Sequence, residues 1–274
     1  MNVPKRATCL ILTMLLSVIA ASHPAKAQQY EPSVGQEGKD VIWVPTPDYL
    51  VEAMLDMAKI TPRDFLIDLG SGDGRIVIAA AKRGTRAMGI EYNPDMVALA
   101  KRNAEKAGVS DKASFMNADL FESDFSEATV ITMYLLPHLN LKLRPIILDL
   151  KPGTRIVSHA FTMGEWSADQ TVEKENRTAY LWIVPAKVEG VWSWPLGSGN
   201  AELTLTQTFQ MLKGALKLNG KERPLKDAKL EGDEIHFSTA EGEYTGRVNG
   251  KAIVGTFSVN GAQQKWSATL REKP

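Results

Sequence analysis

The sequence predicts an α/β fold: an open, mostly parallel sheet with helices on both faces, followed by a small all-β unit, an antiparallel sheet or barrel. Three observations carry this. Apolar runs of strand length alternate with helix-period segments between Phe65 and Ala160. The first strand, Phe65-Leu66-Ile67-Asp68-Leu69, meets the next helix through Gly70-Ser71-Gly72-Asp73-Gly74, a turn without side-chain bulk that lets backbone approach a small ligand. Beyond Ala201 the pattern changes to alternation, punctuated by Asn219-Gly220, Gly232-Asp233, Asn249-Gly250 and Asn260-Gly261, which are hairpin signals.

At 274 residues, 44% hydrophobic, the chain can bury one large core or two smaller ones. Lysine plus arginine equals aspartate plus glutamate at 32 each, so no global basic field draws the protein to nucleic acid, and no nucleic-acid partner is expected. Residues 1–27 read as an export signal. Lys5 and Arg6 precede the apolar run Cys9 to Ala21, and Ala25-Lys26-Ala27 supplies small residues for cleavage before Gln28. The run of 13 residues is short of the roughly 20 that span a bilayer, so no stable membrane span is expected after cleavage, and a periplasmic or envelope location is. The sole cysteine, Cys9, would leave with the signal, so the mature fold rests on packing without disulfides.

Residues 28–44 form an extended lead-in, 45–190 the α/β domain and 191–274 the β domain. Thr46 reads as a helix N-cap with Pro47 in the first helical position, and Leu50, Val51, Met54, Leu55 and Ala58 share one face. After the glycine turn comes the helix Arg75 to Lys82, then the strand Arg86 to Glu91. Glu91 stands 23 residues after Asp68, near the spacing at which α/β nucleoside sites set a carboxylate on the ribose hydroxyls. Asn93 caps the next helix, with Pro94 at its start and Gly108 at its end. The third strand closes on Asn117 and Asp119, and the fourth, Ala128 to Tyr134, runs into Leu135-Leu136-Pro137-His138. Leu139 to Leu150 is helical but interrupted by Pro145. The fifth strand is Thr154 to Ala160, where His159 points into sheet packing. No metal is expected, because no companion His or Cys stands at ligand spacing. A hairpin over Gln170–Glu173 and Thr178–Val184 completes the sheet. In the β domain Trp192-Ser193-Trp194-Pro195-Leu196-Gly197-Ser198-Gly199 leads in, and Phe209, Leu216, Leu230, Ile235, Phe237, Tyr244, Val248, Ile253, Phe257 and Trp266 fill the interior. No catalytic constellation stands there, which suits a structural or partner-docking appendage better than a ligand-binding barrel.

The spacing Asp68-x-Gly70-x-Gly72-x-Gly74 departs from the dinucleotide pattern, which needs a glycine where Arg75 stands, and resembles the first motif of class I S-adenosylmethionine (SAM) methyltransferases. With Val44-Pro45-Thr46-Pro47, Gly89-Ile90-Glu91-Tyr92-Asn93-Pro94 and Leu136-Pro137, the stretch from Pro45 to Trp166 is similar to the seven-stranded lysine methyltransferases that include the ATP synthase c-subunit enzymes. The resemblance implies a Rossmann-like methyltransferase sheet and SAM as methyl donor. It implies a cofactor site of Asp68, Gly70, Ser71, Gly72, Gly74, Glu91, Asn117 and Asp119, the last on the adenine amino group, with Thr46 or Tyr49 over the methionine moiety. It also implies an acceptor pocket of Tyr134, Leu136 and Pro137.

A ring-lined apolar slot suits amine methylation. A lysine amine has a pKa near 10.4, so only about one in a thousand is neutral at pH 7.4, and desolvation favours the neutral nucleophile. No dedicated base is assigned, since holding amine, methyl carbon and sulfonium in line supplies much of the rate; His138 reads as a solvent-facing helix-start residue. The expected acceptor is a protein lysine, with a small molecule as the alternative. A second class of reading is a non-catalytic exported protein that keeps the nucleoside fold, favoured by the cytosolic supply of SAM. Against it, the acids and the glycines all stand together.

Overall fold

The computed structural model of the protein describes Met1 and residues 30–197 and 199–272. The expected export segment beyond Met1, including Cys9, lies outside the described residues.

The α/β part runs α1 (Asp48–Met57), β1 (Phe65–Leu69), α2 (Arg75–Lys82), β2 (Arg86–Glu91), α3 (Pro94–Lys106), β3 (Ala113–Asn117), β4 (Val130–Met133), α4 (Pro137–Ile147), β5 (Arg155–His159), then the hairpin β6 (Gln170–Lys174) and β7 (Arg177–Ile183). The sheet order is β3-β2-β1-β4-β5-β7-β6. β1 to β5 pair in parallel, whereas β7 is antiparallel to both β5 and β6. Successive side chains of the central strands go to opposite faces, as the pleat requires. Leu66, Val130 and Val157 join the core under α1, α2 and α3, while Ile67, Ile131 and Ile156 join the core under α4 with Trp166 and Trp182.

Two helix expectations need correction. α1 begins at Asp48 behind an extended Pro47, with no side-chain cap, because the buried hydroxyl of Thr46 is engaged elsewhere. α4 starts two residues before Leu139 and runs through Pro145, which sits on the exposed side two residues from the end, where the Leu141 carbonyl it leaves without an intrahelical donor belongs to an exposed residue. Asn93 does cap α3, accepting from the amides of Asp95 at 2.9 Å and Met96 at 3.4 Å.

The remaining strands are β8 (Gly190–Leu196), β9 (Gly199–Thr208), β10 (Met211–Leu218), β11 (Lys221–Pro224), β12 (Lys226–Glu231), β13 (Glu234–Ser238), β14 (Glu243–Asn249), β15 (Ala252–Val259) and β16 (Ala262–Glu272). Pairing of β9 with β10 closes a ring of eight antiparallel strands, and β11 lies in line with β12 along the other edge of β10, joined to it through Leu225. The barrel is filled by its own side chains: Trp192, Trp194, Phe237, Tyr244 and Trp266 lie in one buried cluster with Leu203, Leu216 and Ile235. The lead-in to the β domain is therefore itself the first barrel strand, with Trp192 and Trp194 facing inward. Phe209 is the other correction, since it leaves the barrel interior and packs on the core of the neighbouring sheet.

Candidate active site

The strand order reverses between β1 and β4, and the cleft outside their carboxyl ends is where open α/β sheets take ligands. A cavity of about 270 Å³ lies there. Its floor is the turn after β1, where Gly70, Gly72 and Gly74 have φ of 77°, 53° and 83°. A Cβ on Gly72 would come within 2.8 Å of Trp43 Nε1, and one on Gly74 within 2.7 Å of the Phe115 ring. The left-handed backbone and the tight packing at these two positions both exclude a side chain. Arg75, standing where the dinucleotide pattern has glycine, donates to both oxygens of Asp73 and to the Thr46 carbonyl at 3.0 Å. It thereby ties the turn to the lead-in. That segment, expected to be extended, folds back through a bridge between Glu37 and Ile42 and covers the cavity from Gln36 to Thr46.

Three acids edge the cleft. Asp68 is buried and accepts from the Thr132 hydroxyl at 2.7 Å; burial pushes its carboxyl up to about 7. Glu91 accepts from the Gly72 amide with one oxygen and from the Asn93 amide with the other, each at 2.9 Å, so it shapes the glycine turn from β2. Further lone pairs of the same carboxylate remain for a ligand diol. Asp119 is paired with Lys39 of the covering segment and accepts from the Phe121 amide at 2.9 Å; the lysine hydrogen bond, then that amide, hold it below the usual carboxylate range. Lys39 also lies 4.8 Å from the Tyr92 ring centre.

Of the expected cofactor residues, Thr46, Asp68, Gly70, Ser71, Gly72, Glu91 and Asp119 line this one cavity. Gly74 lies beneath the turn, and the Asn117 amide donates to the Glu91 and Tyr92 carbonyls, at 3.1 Å and 2.6 Å, bracing the end of β2 rather than lining the cleft. The residues present fit SAM: a floor stripped of side chains, carboxylates at three strand ends, and a buried Ser71 Oγ without a partner among the described residues.

At the far end the walls are Tyr134, Leu135, Leu136 and Phe161; Pro137 starts α4 just behind them, and His138 is exposed. His159, expected only to fill the sheet, backs this wall from behind Thr46 and Tyr134. It is 1% exposed, its ring stacks on Tyr134 with centres 3.8 Å apart, and its Nδ1 lies 3.0 Å from Thr46 Oγ1. Arg177 Nη1 approaches Nε2 at 3.4 Å. An arginine only donates, so Nε2 accepts and Nδ1 carries the proton given to Thr46. That leaves the Thr46 hydroxyl proton to be donated in turn. Burial, then the Arg177 charge, push the ring down to about 4, so it is neutral at physiological pH. Trp43, His159 and Phe161 were not legible as site residues: Thr46 and His159 are 113 positions apart, and no local spacing signals their contact.

Residues 68–170 match the ANTKMT methyltransferase domain. A protein-lysine N-methyltransferase of Saccharolobus islandicus is 44% identical over 151 residues, which cover 53% of this chain and 94% of that protein. The ATP synthase c-subunit lysine N-methyltransferase of Mus musculus is 34% identical over 146 residues, 53% of this chain and 59% of the length of the Mus musculus protein. Among solved structures, an RNA methyltransferase from Salinibacter ruber in complex with S-adenosyl-L-homocysteine is 53% identical with a TM-score of 0.52, covering 53% of this chain and 96% of that one. The family match ends at residue 170, short of the barrel. With its strand order, its glycine turn and these relatives, the chain belongs to the class I SAM-dependent methyltransferases, in the group that holds the protein-lysine N-methyltransferases, and SAM is its methyl donor.

Proposed function

We propose that the protein methylates the ε-amine of a lysine in another protein. The observation that carries this is the acceptor end of the cavity, where Tyr134, Leu135, Leu136 and Phe161 offer rings and apolar surface, and where the nearest imidazole is neutral and already engaged with Thr46. A desolvated slot of this kind favours the neutral amine. Bound SAM supplies an electrophilic methyl on a sulfonium. The chain's own residues do the rest. Glu91 would hold the ribose and Asp119 the adenine, Thr46 would donate to the methionine moiety, and Asp68 would offer its carboxyl to the same part of the cavity. Tyr134 and Phe161 exclude water and hold the amine in line. The amine loses its proton to solvent before attack, so no base is required of the protein. The names of the lysine methyltransferase relatives support the same acceptor.

A nucleic-acid acceptor is the second reading, favoured by the name of the Salinibacter ruber structure. Base recognition takes polar groups aimed at the base edge, and the balanced charge of the chain supplies no general attraction to phosphate. The deciding experiment is incubation of the full-length protein with labelled SAM and an envelope extract. Label that is removed by protease and maps to methyl-lysine by mass spectrometry supports the proposal; label removed by ribonuclease refutes it. The export signal at residues 1–27 belongs to the same proposal and supports an envelope protein as acceptor.

A further inference from the structure

The turn that leaves the barrel interior ends against the acceptor side of the methyltransferase. Leu203, Leu205, Gln207 and Phe209 share one phase of the β9 alternation, yet the Phe209 ring packs face to face on Trp166, with centres 5.9 Å apart and planes 14° apart. Its backbone is left-handed at φ 53°, a strained state for an aromatic residue, and the Gln207 side chain holds its carbonyl at 2.8 Å. The Arg144 guanidinium of α4 lies 5.4 Å from the Phe209 ring centre. Gln210 is 6% exposed and donates to the Ser167 carbonyl at 2.8 Å. Trp166 and Arg144 in turn grip one segment. Arg144 donates to the Met163 carbonyl at 2.9 Å, Met163 pairs with Trp166, and Asn140 of α4 donates to the Phe161 and Thr162 carbonyls, each at 3.3 Å. Phe161 is the wall residue of the cavity.

We propose that the Phe209–Gln210 turn is a brace: by clamping Trp166 against α4 it holds residues 160–166, and with them Phe161, in place, so the barrel is a working part of the acceptor site. Its consequence for methyl transfer rests on the acceptor reading above; the mechanical claim does not. The barrel lies beyond residue 170, where the family match ends, so this chain carries a support for the wall that the shared domain does not itself supply.

The test is hydrogen exchange on the full-length protein. Phe209→Gly accepts the left-handed backbone and deletes only the ring, so it separates the clamp from backbone strain. Exchange across residues 160–169 is expected to quicken at least fivefold, with residues 70–82 unchanged and SAM affinity by calorimetry within twofold. Phe209→Trp should behave as the parent. Using poly-L-lysine as acceptor with labelled SAM, Phe209→Gly should lower kcat/KM about tenfold, mainly through KM. Exchange at 160–169 that stays unchanged while the turn itself loosens overturns the brace, and so does equal quickening throughout the chain. Quickened exchange with unaltered KM upholds the brace and removes Phe161 from the acceptor side. Should Phe209→Gly fail to fold, Gln210→Leu, which deletes the bond to Ser167, carries the same comparison.

Discussion

Glu91 does two jobs with one carboxylate. Its oxygens hold the amides of Gly72 and Asn93 while it faces the cavity, so Glu91→Ala loosens the floor and removes a ligand contact together. SAM affinity is expected to fall about 10- to 100-fold, equivalent to about 1.5 to 3 kcal/mol for charge-assisted hydrogen bonds, read by calorimetry. Asp68 and His159 give opposite pH dependences. The Asp68 carboxyl is pushed up by burial to about 7, so its contribution to stability is full below the unfolded value near 3.8 and is lost as pH rises through about 7. His159 is pushed down to about 4, so its contribution is present above 6.5 and is lost as pH falls through about 4. Asp68→Asn keeps an acceptor for Thr132 and avoids the buried charge. Melting scans without SAM should find it more stable than the parent at pH 8 and no more stable at pH 4, while its SAM affinity at pH 8 is expected to fall, the proposed role of Asp68 being to offer bound SAM a carboxylate. A variant destabilised at pH 8 would contradict the burial argument. His159→Phe, which keeps a ring against Tyr134, should lose less stability than the parent between pH 6.5 and 4.

Among the elements, the glycine turn and the start of α2 make the sharpest demand on sequence. Gly74→Ala combines a φ of 83° with a Cβ 2.7 Å from Phe115 and 2.9 Å from Ala100, and is expected to cost about 1 to 3 kcal/mol in urea unfolding. Such elements were legible before the fold was known, because period, turn chemistry and caps are local properties. The order of strands and helices through β7, the Asn93 cap and the turns at Asn219-Gly220 and Asn260-Gly261 all follow from neighbours in the chain. What was not legible depended on distant partners. Thr46 has the residue type of a cap and lies just before a helix, but His159 offers its hydroxyl a buried partner. Trp192-Ser193-Trp194 already alternates, yet Pro195 and two glycines disguised β8 as a linker. Phe209 keeps the inward phase of β9, and only the turn after Thr208 takes it out of the barrel.

At the scale of the whole molecule, a two-faced sheet and a filled barrel share one chain. The turn at Gly232 abuts Gly153, and its carbonyl accepts from the Ala186 amide at 2.8 Å, which gives the barrel a second seam besides Phe209. No helix among the described residues is long and apolar enough to cross a membrane. The export reading has its own check: a reporter joined after Gln28 should be active outside the cytosol, and activity confined to the cytosol would refute it while easing the supply of SAM. Ring closure also limits how the barrel can recruit others. Strand addition, in which a peptide extends a sheet through main-chain bonds, needs an unpaired edge, and the pairing of β9 with β10 removes the two free ends that an open sheet of these strands would present. β11, which prolongs β12 along β10, is four residues long and ends in Arg223 and Pro224, residues that discourage further pairing on its outer side. A protein that meets this barrel therefore finds outward side chains over most of its wall and little free backbone.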